Sequence, residues 1–291
     1  MPRLSPRLQR SPSQGALPTF IILGAMKCGT TSLHAYLSLH PEISMSKDKE
    51  LAFFADGWNW KRGADWYRRQ FDAERPVRGE ASPQYTCYPQ YDSIPERMHD
   101  LLPDIRLIYL VRDPVDRLVS HYCHDVSRGF EERPLDVALR QPDSSYIARS
   151  QYYRQIERYL SYYDAESILI MDQMDLRTHR RETLQEIFAF IGVDSEVWDP
   201  RFEHEHHATS QKRQRSTLGK RLAKTWPMRA VNLVPPRYRW PLMDALYRPF
   251  SVPLERPHID DALHAIIADQ LADDVASWRA FTGRAWSDWS L

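Results

Sequence analysis

The segment 20–33 constrains the fold of this chain more than any other part of its sequence. It reads FIILGAMKCGTTSL: an apolar run that ends at Gly24, a short turn closed by Gly29, and hydroxyl residues that begin a helical pattern. A buried strand followed at once by such a turn and a helix directs backbone N–H groups and the helix N-terminus toward one point. The segment therefore predicts an anion-binding strand–loop–helix unit in an α/β domain.

The two glycines have the spacing of the nucleotide-binding pattern GxxxxGK[ST], but the lysine is displaced. The position after Gly29 is Thr30, and the lysine lies inside the turn at Lys27. A nucleoside triphosphatase needs its lysine after the second glycine, where it reaches the β- and γ-phosphates. The displacement favours a shorter anion, in which one cation bridges a 5′-phosphate and the group that is transferred.

A second strand–turn–helix unit follows in residues 106–122. Residues 106–111 form a short apolar run typical of a buried strand, and Arg112 follows it directly, about 85 residues after Lys27. Pro114 suits a first helical turn, and Ser120 falls two turns into the helix. An arginine and a serine at such an edge can hold a second phosphate with guanidinium and hydroxyl donors.

Together the two units resemble those of sulfotransferases that use 3′-phosphoadenosine 5′-phosphosulfate (PAPS). The first resembles the 5′-phosphosulfate loop of that family, and residues 112–122 resemble its 3′-phosphate motif, RDPxxRxxSxY. The resemblance implies PAPS as the donor, 3′-phosphoadenosine 5′-phosphate (PAP) as the product, and no metal. The residues expected to bind the donor nucleotide are Lys27, Cys28, Gly29, Thr30, Thr31, Ser32, Arg112 and Ser120.

Two catalytic residues are expected. Lys27 would neutralise charge on the bridging oxygen and on the transferring sulfonate. Residues 49–54, KELAFF, resemble the KExHFF segment of the heparan sulfate branch, whose glutamate is taken as the general base, so Glu50 is the candidate here. Two alternatives stay open: Glu50 only pairs with a neighbouring lysine, or a histidine is the base, as in the cytosolic branch. The eligible histidines are His34, His40, His121 and His124.

Two departures from the heparan sulfate pattern lie on the acceptor side. The histidine of KExHFF is Ala52 here, and the lysine of the EK[ST]PxY turn is Ala81. Both departures remove polar groups, so the expected acceptor is a bacterial glycan, a glycolipid or a small natural product that reacts through a hydroxyl, with an amine as the second choice. The neighbouring Glu80 is either a substrate contact or a strand-end carboxylate held by backbone amides.

The segment after Thr209 is basic and matches, loosely, the place where the family closes a loop over the 3′-phosphate. Lys212 and Arg213 are therefore further donor-binding candidates, and a solvated helix face is the alternative. The amphipathic residues 238–250 suggest a packed lid or a peripheral membrane contact. The EHEHH run at 203–207 fits no zinc-ligand spacing, so no metal site is predicted.

Length and composition limit the architecture and the partners. With 291 residues, 42% apolar content and a formal net charge of zero, the chain can bury one full core and gives no electrostatic case for nucleic acid. Residues 1–17 have no hydrophobic core and are expected to be a disordered leader, followed by one sulfotransferase domain over 18–291. No window reaches membrane-spanning length, and only three cysteines occur, so a cytoplasmic protein is expected.

Alternating strand-type and helix-type segments predict an α/β domain with a central parallel sheet flanked by helices. Predicted strands cover residues 19–23, 77–83, 106–111 and 167–171. Predicted helices cover 31–39, 63–71, 94–102, 113–126, 181–191 and 260–280, and residues 146–163 carry an apolar–aromatic stripe over several helical turns.

Two other functions stay open from sequence alone. A kinase-like P-loop enzyme would need the Walker lysine that Thr30 replaces and a metal-binding acid after a strand, whereas Asp113 is better explained by the RDP motif. An inactive nucleotide-binding module would fit the lost polar groups at positions 52 and 81. The lysine, arginine, serine and glutamate retained in the motifs weigh against it. The sequence predicts neither the oligomeric state nor one particular acceptor.

Overall fold

The computed structural model describes residues 15–141, 144–204, 213–216 and 248–291. Within these ranges one sheet contains the strands β1 (Phe20–Gly24), β2 (Ile43–Met45), β3 (Val77–Ala81), β4 (Arg106–Val111) and β5 (Ile168–Asp172). The strand order is β2–β3–β1–β4–β5, and every neighbouring pair is parallel. The prediction of a single α/β domain built on a parallel sheet is confirmed.

Helices connect the strands and cover the sheet. Every residue of β1 is buried although successive side chains point to opposite faces, so both faces of the sheet are covered. The helices are α1 (Thr30–Leu37), α2 (Gly63–Arg68), α3 (Ile94–Leu101), α4 (Pro114–Arg128), α5 (Leu135–Leu139), α6 (Ser145–Ala148), α7 (Tyr152–Leu160), α8 (Gln173–Thr178), α9 (Arg180–Ile191) and α10 (Asp261–Thr282). Short 3₁₀ turns lie at Trp60–Arg62, Pro83–Thr86, Ala165–Ser167, Pro200–Glu203 and Arg248–Phe250. A separate two-stranded antiparallel sheet pairs β6 (Arg213–Arg215) with β7 (Ser251–Pro253).

The predicted elements are present, with small displacements of their ends, except in the stripe at 146–163. That stretch is two helices, α6 and α7, with Ser150 between them. The fully buried Arg117 donates from Nε to Ser150 Oγ at 2.7 Å, and the same hydroxyl donates to the Pro114 carbonyl at 3.1 Å. The helix is interrupted where Ser150 satisfies these buried groups, and the apolar stripe carries no sign of that polar contact.

The ends of two helices follow from local chemistry. Helix α4 begins where Asp113 Oδ1 accepts a hydrogen bond from Asp116 N at 2.7 Å, with Pro114 in the first turn. Helix α1 begins at Gly29, whose φ of 90° is a left-handed conformation that glycine tolerates. A Cβ at Gly29 would lie 3.1 Å from Gln173 Cγ, a tight contact with a flexible side chain, so the turn favours glycine mainly for its conformation.

The strand order fixes where the two phosphate-type units meet. After β1 the chain runs to β2 and β3 on one side of it, whereas after β4 it runs to β5 on the other side. The order therefore reverses between β1 and β4, and ligands of open α/β sheets bind in the crevice outside the carboxyl ends of the strands at such a point. Both units leave the sheet at this crevice. No helix of the described ranges is long and apolar enough to cross a bilayer.

Candidate active site

A cleft of about 660 Å³ lies at the carboxyl ends of β1 and β4. It brings together most of the residues predicted from the motifs. Those in its lining are Lys27, Gly29, Thr30, Thr31, Ser32, Glu50, Arg112 and Ser120. Arg112 Nη1 donates to the Lys27 carbonyl at 3.5 Å, so the two units, which are distant in sequence, are in direct contact.

The first unit is a tight loop with a strained residue at its centre. Lys27 has a φ of 73°, which is uncommon for a residue with a side chain. The loop is tied to β4 by Ala25 N, which donates to the Leu110 carbonyl at 2.6 Å. The first-turn N–H groups of α1 have no carbonyl partner within the helix, and the N-cap residue, Gly29, has no side chain that could cap them. This end of α1 therefore presents donors and a positive dipole end to the cleft.

Cys28 differs from its neighbours because its side chain faces the core. It is fully buried and absent from the cleft lining, and its Sγ lies 3.5 Å from Tyr152 Oη. Burial raises the pKa of the Cys28 thiol. Its backbone N–H donates to the Ala25 carbonyl at 3.1 Å. The thiol and the backbone N–H of Cys28 are thus both engaged inside the protein, and the residue supports the loop from its core side.

The two arginines of the second unit have different surroundings. Arg112 lines the cleft, and its Nη2 donates to Asp116 Oδ2 at 2.7 Å. Arg256 contacts the other oxygen of the same carboxylate. Arg117 is instead fully buried, and its Nη2 donates to the Tyr146 carbonyl at 2.7 Å. Arg112 is therefore the arginine available to a ligand, whereas Arg117 supports the fold.

The basic segment predicted to cover the 3′-phosphate is described only in part. Lys212 lies outside the described residues. Arg213 lies on β6, which contacts α4, but it is absent from the cleft lining. Its Nε donates to Ser251 Oγ at 2.8 Å and its Nη2 to the Ser251 carbonyl at 2.6 Å. The Arg213 guanidinium is thus held within the β6–β7 strand pair.

Glu50 lies at the rim of the cleft on a strained loop. Its φ is 63°, and its N–H donates to the Ala81 carbonyl at 3.1 Å. One carboxylate oxygen pairs with Lys49, and the other accepts from Gln84 Nε2 at 3.4 Å. Glu50 therefore both faces the cleft and forms the lysine pair foreseen as the alternative, and a half-exposed pair of this kind is weak enough to open.

The four candidate histidines divide by position. His40 is buried, its Nε2 lies 3.0 Å from the Asp194 carbonyl, and it packs at the end of α1. Burial, reinforced by the charge of Lys49, lowers the pKa of His34 to about 4, and His34 does not line the cleft. His121 and His124 do line it. Burial and the nearby Arg117 lower the pKa of His121 well below its usual range, so this imidazole is neutral.

Part of the lining comes from residues that no motif indicated. They are Trp58, Cys87, Gln90, Tyr91, Asp125, Phe130, Ser145, Arg149 and Gln173. A helical pattern would have placed Asp125 near this face, since it follows His121 by one turn of α4. Arg149 and Gln90 come from separate connections and are joined by a hydrogen bond, for which the sequence carries no signal. Tertiary packing alone brings these two connections together at the cleft.

Glu80 is a buried carboxyl beneath the Glu50 loop. It is fully buried, so it is not a substrate contact, and burial raises its pKa to about 7. The hydroxyls of Tyr85, Tyr67 and Ser82 surround it and partly offset this rise, although neither carboxyl oxygen has a well-formed hydrogen bond. Two of these hydroxyls also accept from the loop, since Ala52 N donates to Ser82 Oγ and Phe53 N to Tyr85 Oη, both at 2.9 Å.

The raised pKa of Glu80 predicts a pH-dependent stability. Between about pH 4.5 and pH 7 the unfolded chain has released this proton while the folded protein retains it, so the free energy of unfolding falls as the pH rises through this window. The expected loss is on the order of 3 kcal/mol. Denaturant unfolding from pH 4.5 to 8 measures it, with Glu80→Gln compared with the wild type.

Asp274 is another buried carboxyl, and its pKa is raised to about 6. Subtracting the pH profile of Glu80→Gln from that of the wild type removes the contribution of Asp274 and leaves that of Glu80. The surface variant Glu96→Gln is the matched control and should keep the wild-type profile. A profile in Glu80→Gln that is as steep as in the wild type would mean that Glu80 does not carry the effect.

Within the described ranges no three histidine, cysteine or acidic side chains converge as a metal site would require. Most of the 203–207 run lies outside those ranges.

Known proteins resemble this chain over most of its length. The family described as the sulfotransferase domain matches residues 17–225. Human bifunctional heparan sulfate N-deacetylase/N-sulfotransferase 2 is 31% identical over 202 residues, which cover 61% of this chain and 22% of that protein. Mouse heparan sulfate glucosamine 3-O-sulfotransferase 5 is 29% identical over 195 residues, covering 62% of this chain and 55% of that protein. The chain therefore spans about a fifth and about half of these two relatives.

A solved structure agrees with these sequence matches. The sulfotransferase from Alicyclobacillus acidocaldarius superimposes with a TM-score of 0.65 at 26% identity, over 93% of this chain and 99% of that one. The matched family region contains both units that line the cleft, and the fold is shared beyond it. The chain belongs to the sulfotransferase domain family and resembles its heparan sulfate branch.

Proposed function

We propose that this protein transfers a sulfuryl group from PAPS to a hydroxyl, or as a second choice an amine, of a glycan, glycolipid or small-molecule acceptor. One observation supports this most: the Lys27 loop and the Arg112 turn face one cleft and are joined by the 3.5 Å hydrogen bond between them. Two cationic sites this close suit a nucleotide with separate 5′- and 3′-phosphates. A linear triphosphate would need a lysine after the second glycine.

The donor side of the cleft fits this nucleotide. When bound, PAPS supplies the sulfuryl group and its 5′-phosphate is the leaving group. The first-turn N–H groups of α1 and the hydroxyls of Thr30 and Thr31 would hold the 5′-phosphate, as helix N-termini do for anions. Arg112 and Ser120 would hold the 3′-phosphate through charge-assisted and hydroxyl hydrogen bonds.

Lys27 and Glu50 would carry the chemistry between these phosphates and the acceptor. The acceptor oxygen forms a bond to sulfur while the bond from sulfur to the 5′-phosphate oxygen breaks. Glu50 takes the proton of the acceptor hydroxyl as general base. Lys27 neutralises the charge that develops on the released phosphate oxygen. A lysine and a helix terminus supply here the positive charge that metal ions supply in phosphoryl transfer.

The acceptor side is built from Gln84, at the variable position of the EK[ST]PxY turn, and from residues outside the family motifs. Ala52 and Ala81 are fully buried, so neither position faces the cleft in this chain. The polar lining comes instead from Gln84, Gln90 and Arg149, and aromatic side chains such as Trp58 add an apolar rim. Two relatives are named for N- and O-sulfotransfer on heparan sulfate. We propose a glycan-like ring as one acceptor type because such a rim suits stacking.

We also propose a bacterial, cytoplasmic setting. The three cysteines are free thiols and all are buried, which suits a reducing compartment. Of residues 238–250, which the sequence suggested for a peripheral contact with a membrane, 238–247 lie outside the described residues.

Calorimetric titration tests the donor. PAP is expected to bind tightly, whereas 5′-AMP, which lacks the 3′-phosphate, and ADP with Mg²⁺ are expected to bind at least about tenfold more weakly. Tight binding of PAP followed by transfer of label from PAPS to an acceptor would support the enzyme. Tight binding without transfer to any acceptor would favour the inactive nucleotide-binding module, and a preference for ADP with Mg²⁺ would favour the kinase-like alternative.

Glu50→Gln tests the general base. The variant keeps the size of the side chain but cannot take a proton, so transfer is expected to fall by about 10²- to 10⁴-fold while the PAP affinity stays within about twofold. Radiolabel transfer and calorimetry measure the two quantities. The exposed Glu42→Gln is the matched control, because Glu42 lies outside the cleft. Transfer retained in Glu50→Gln would move the role of base to His124 or His121.

A further inference from the structure

We infer that the Tyr152 hydroxyl fixes the separation between the two phosphate-binding units and is a positioning residue for the nucleotide that spans them. The inference rests on the proposed function and adds a residue that neither motif contains. Tyr152 is the first residue of α7 and is 1% exposed. It does not line the cleft but lies beneath it, in contact with both units.

One oxygen atom makes all of these contacts. Tyr152 Oη donates to the Arg112 carbonyl at 2.9 Å, and the Arg112 N–H donates to the same hydroxyl oxygen at 3.4 Å. Cys28 Sγ lies 3.5 Å from Tyr152 Oη. Because the hydroxyl proton is engaged by the Arg112 carbonyl, only the Cys28 thiol can donate in the third contact, and the Met26 carbonyl, 4.0 Å from Cys28 Sγ, is a second acceptor for the same thiol. The hydroxyl thus ties the backbone that carries Arg112 to the residue next to Lys27.

The position of this hydroxyl is set by a separate part of the protein. The Tyr152 ring packs against Trp278 and Trp289, each with ring centroids 5.7 Å away, and against Tyr109 at 6.0 Å. The start of α7 is also held from α10, because Asp274 accepts hydrogen bonds from the N–H groups of residues 153 and 154 at 3.2 and 2.8 Å. Tyr109 belongs to β4 of the second unit, whereas Trp278 and Asp274 belong to α10, so the C-terminal helix adds contacts to Tyr152 that involve neither phosphate unit.

A fixed separation benefits only a ligand that uses both units. Once the first phosphate of such a ligand is bound, the second meets its site at a high effective concentration, and this gain is lost when the two sites move independently. A ligand with a single phosphate gains nothing from the fixed separation. Removing the hydroxyl is thus expected to weaken the binding of a bisphosphate nucleotide, while each site keeps its affinity for a single phosphate.

Tyr152→Phe tests this with three ligands: PAP, 5′-AMP and 3′-AMP. Calorimetry is expected to show about a tenfold loss of PAP affinity, with both monophosphates changed by less than about twofold. Tyr159→Phe is the matched control. Tyr159 lies on the same helix, is also 1% exposed, and its Oη donates to a backbone carbonyl, that of Tyr85, at 2.7 Å. It contacts neither phosphate unit, so all three affinities should stay at the wild-type values.

The possible results separate the inference from the proposed function. If wild-type protein binds PAP no more tightly than the monophosphates, the proposed function fails and the inference falls with it. If the wild type prefers PAP and Tyr152→Phe keeps that preference, only the inference is overturned. Equal losses for all three ligands would also overturn it, because they would indicate a general structural defect.

A second pair of variants keeps the test decisive if Tyr152→Phe does not fold. Cys28→Ala removes the donor on the loop side, whereas Cys28→Ser keeps a donor at the same place. The alanine variant is expected to lose PAP affinity and the serine variant to retain it. Identical PAP affinities in the two variants would overturn the role of the hydroxyl.

Discussion

Replacing Lys27 with alanine is expected to lower the rate of sulfuryl transfer by about 10³-fold while PAP binding weakens only several-fold. Lys27 lines the cleft on the loop that connects β1 to α1, and in the proposed mechanism it neutralises the charge that develops on the leaving oxygen. In the ground state the 5′-phosphate keeps the donors of the α1 N-terminus, so much of the binding survives. Single-turnover transfer from labelled PAPS and PAP calorimetry separate the two effects.

The charge of the Lys27 side chain can be tested separately from the conformation of the loop. Lys27→Met keeps an unbranched chain at the residue whose φ is 73°, so the methionine variant removes the charge with little change in shape. Lys47→Met is the matched control, because Lys47 donates to the Arg69 carbonyl at 2.8 Å and does not line the cleft. Unchanged transfer in both Lys27 variants would remove this lysine from the mechanism.

Arg112→Ala is expected to weaken PAP binding by about 10- to 100-fold and 5′-AMP binding by less than about threefold. A charge-assisted hydrogen bond from an arginine contributes about 1.5–3 kcal/mol, and only PAP has the 3′-phosphate that would receive it. Calorimetric titration of both nucleotides measures the difference. Equal losses for the two ligands would refute the assignment of Arg112 to the 3′-phosphate.

The carboxylate beside Arg112 requires its own control. Asp116 contacts both Arg112 and Arg256, so removing Arg112 leaves a less compensated negative charge near the ligand. Arg256→Ala leaves the same carboxylate with one arginine, but Arg256 does not line the cleft. If Arg256→Ala weakens PAP binding as strongly as Arg112→Ala does, the loss of affinity arises from repulsion by Asp116 rather than from a missing phosphate contact.

The sequence predicted each phosphate unit because each is local in the chain. A strand, a turn and a helix start within fourteen residues leave a pattern of apolar runs, glycines and hydroxyls that can be read directly in residues 20–33. The same holds for residues 106–122, where Asp113 and Pro114 mark the start of α4. Both units lie where the sequence predicted them, and the matched family region contains both.

Side-chain direction inside these units was beyond the sequence. Cys28 was expected among the nucleotide contacts because it lies between Lys27 and Gly29, yet it faces the core. The loop has an uncommon φ of 73° at Lys27 and is held to β4 by the bond from Ala25 N to the Leu110 carbonyl, and such a long-range contact leaves no pattern in the local sequence. The polar break at Ser150 between α6 and α7 was missed for a related reason, because its partner, Arg117, is distant in the chain.

The sequence by itself determined most of the elements, the parallel sheet and the two strand–turn–helix units, since local periodicity, caps and turn residues act over a few positions. Only the tertiary structure decided that β1 and β4 are neighbours at the reversal of strand order, which brings Lys27 and Arg112 into contact. It also decided that Tyr152, held by α10, lies beneath both units. Such contacts depend on packing between distant segments, and no local pattern in the chain encodes them.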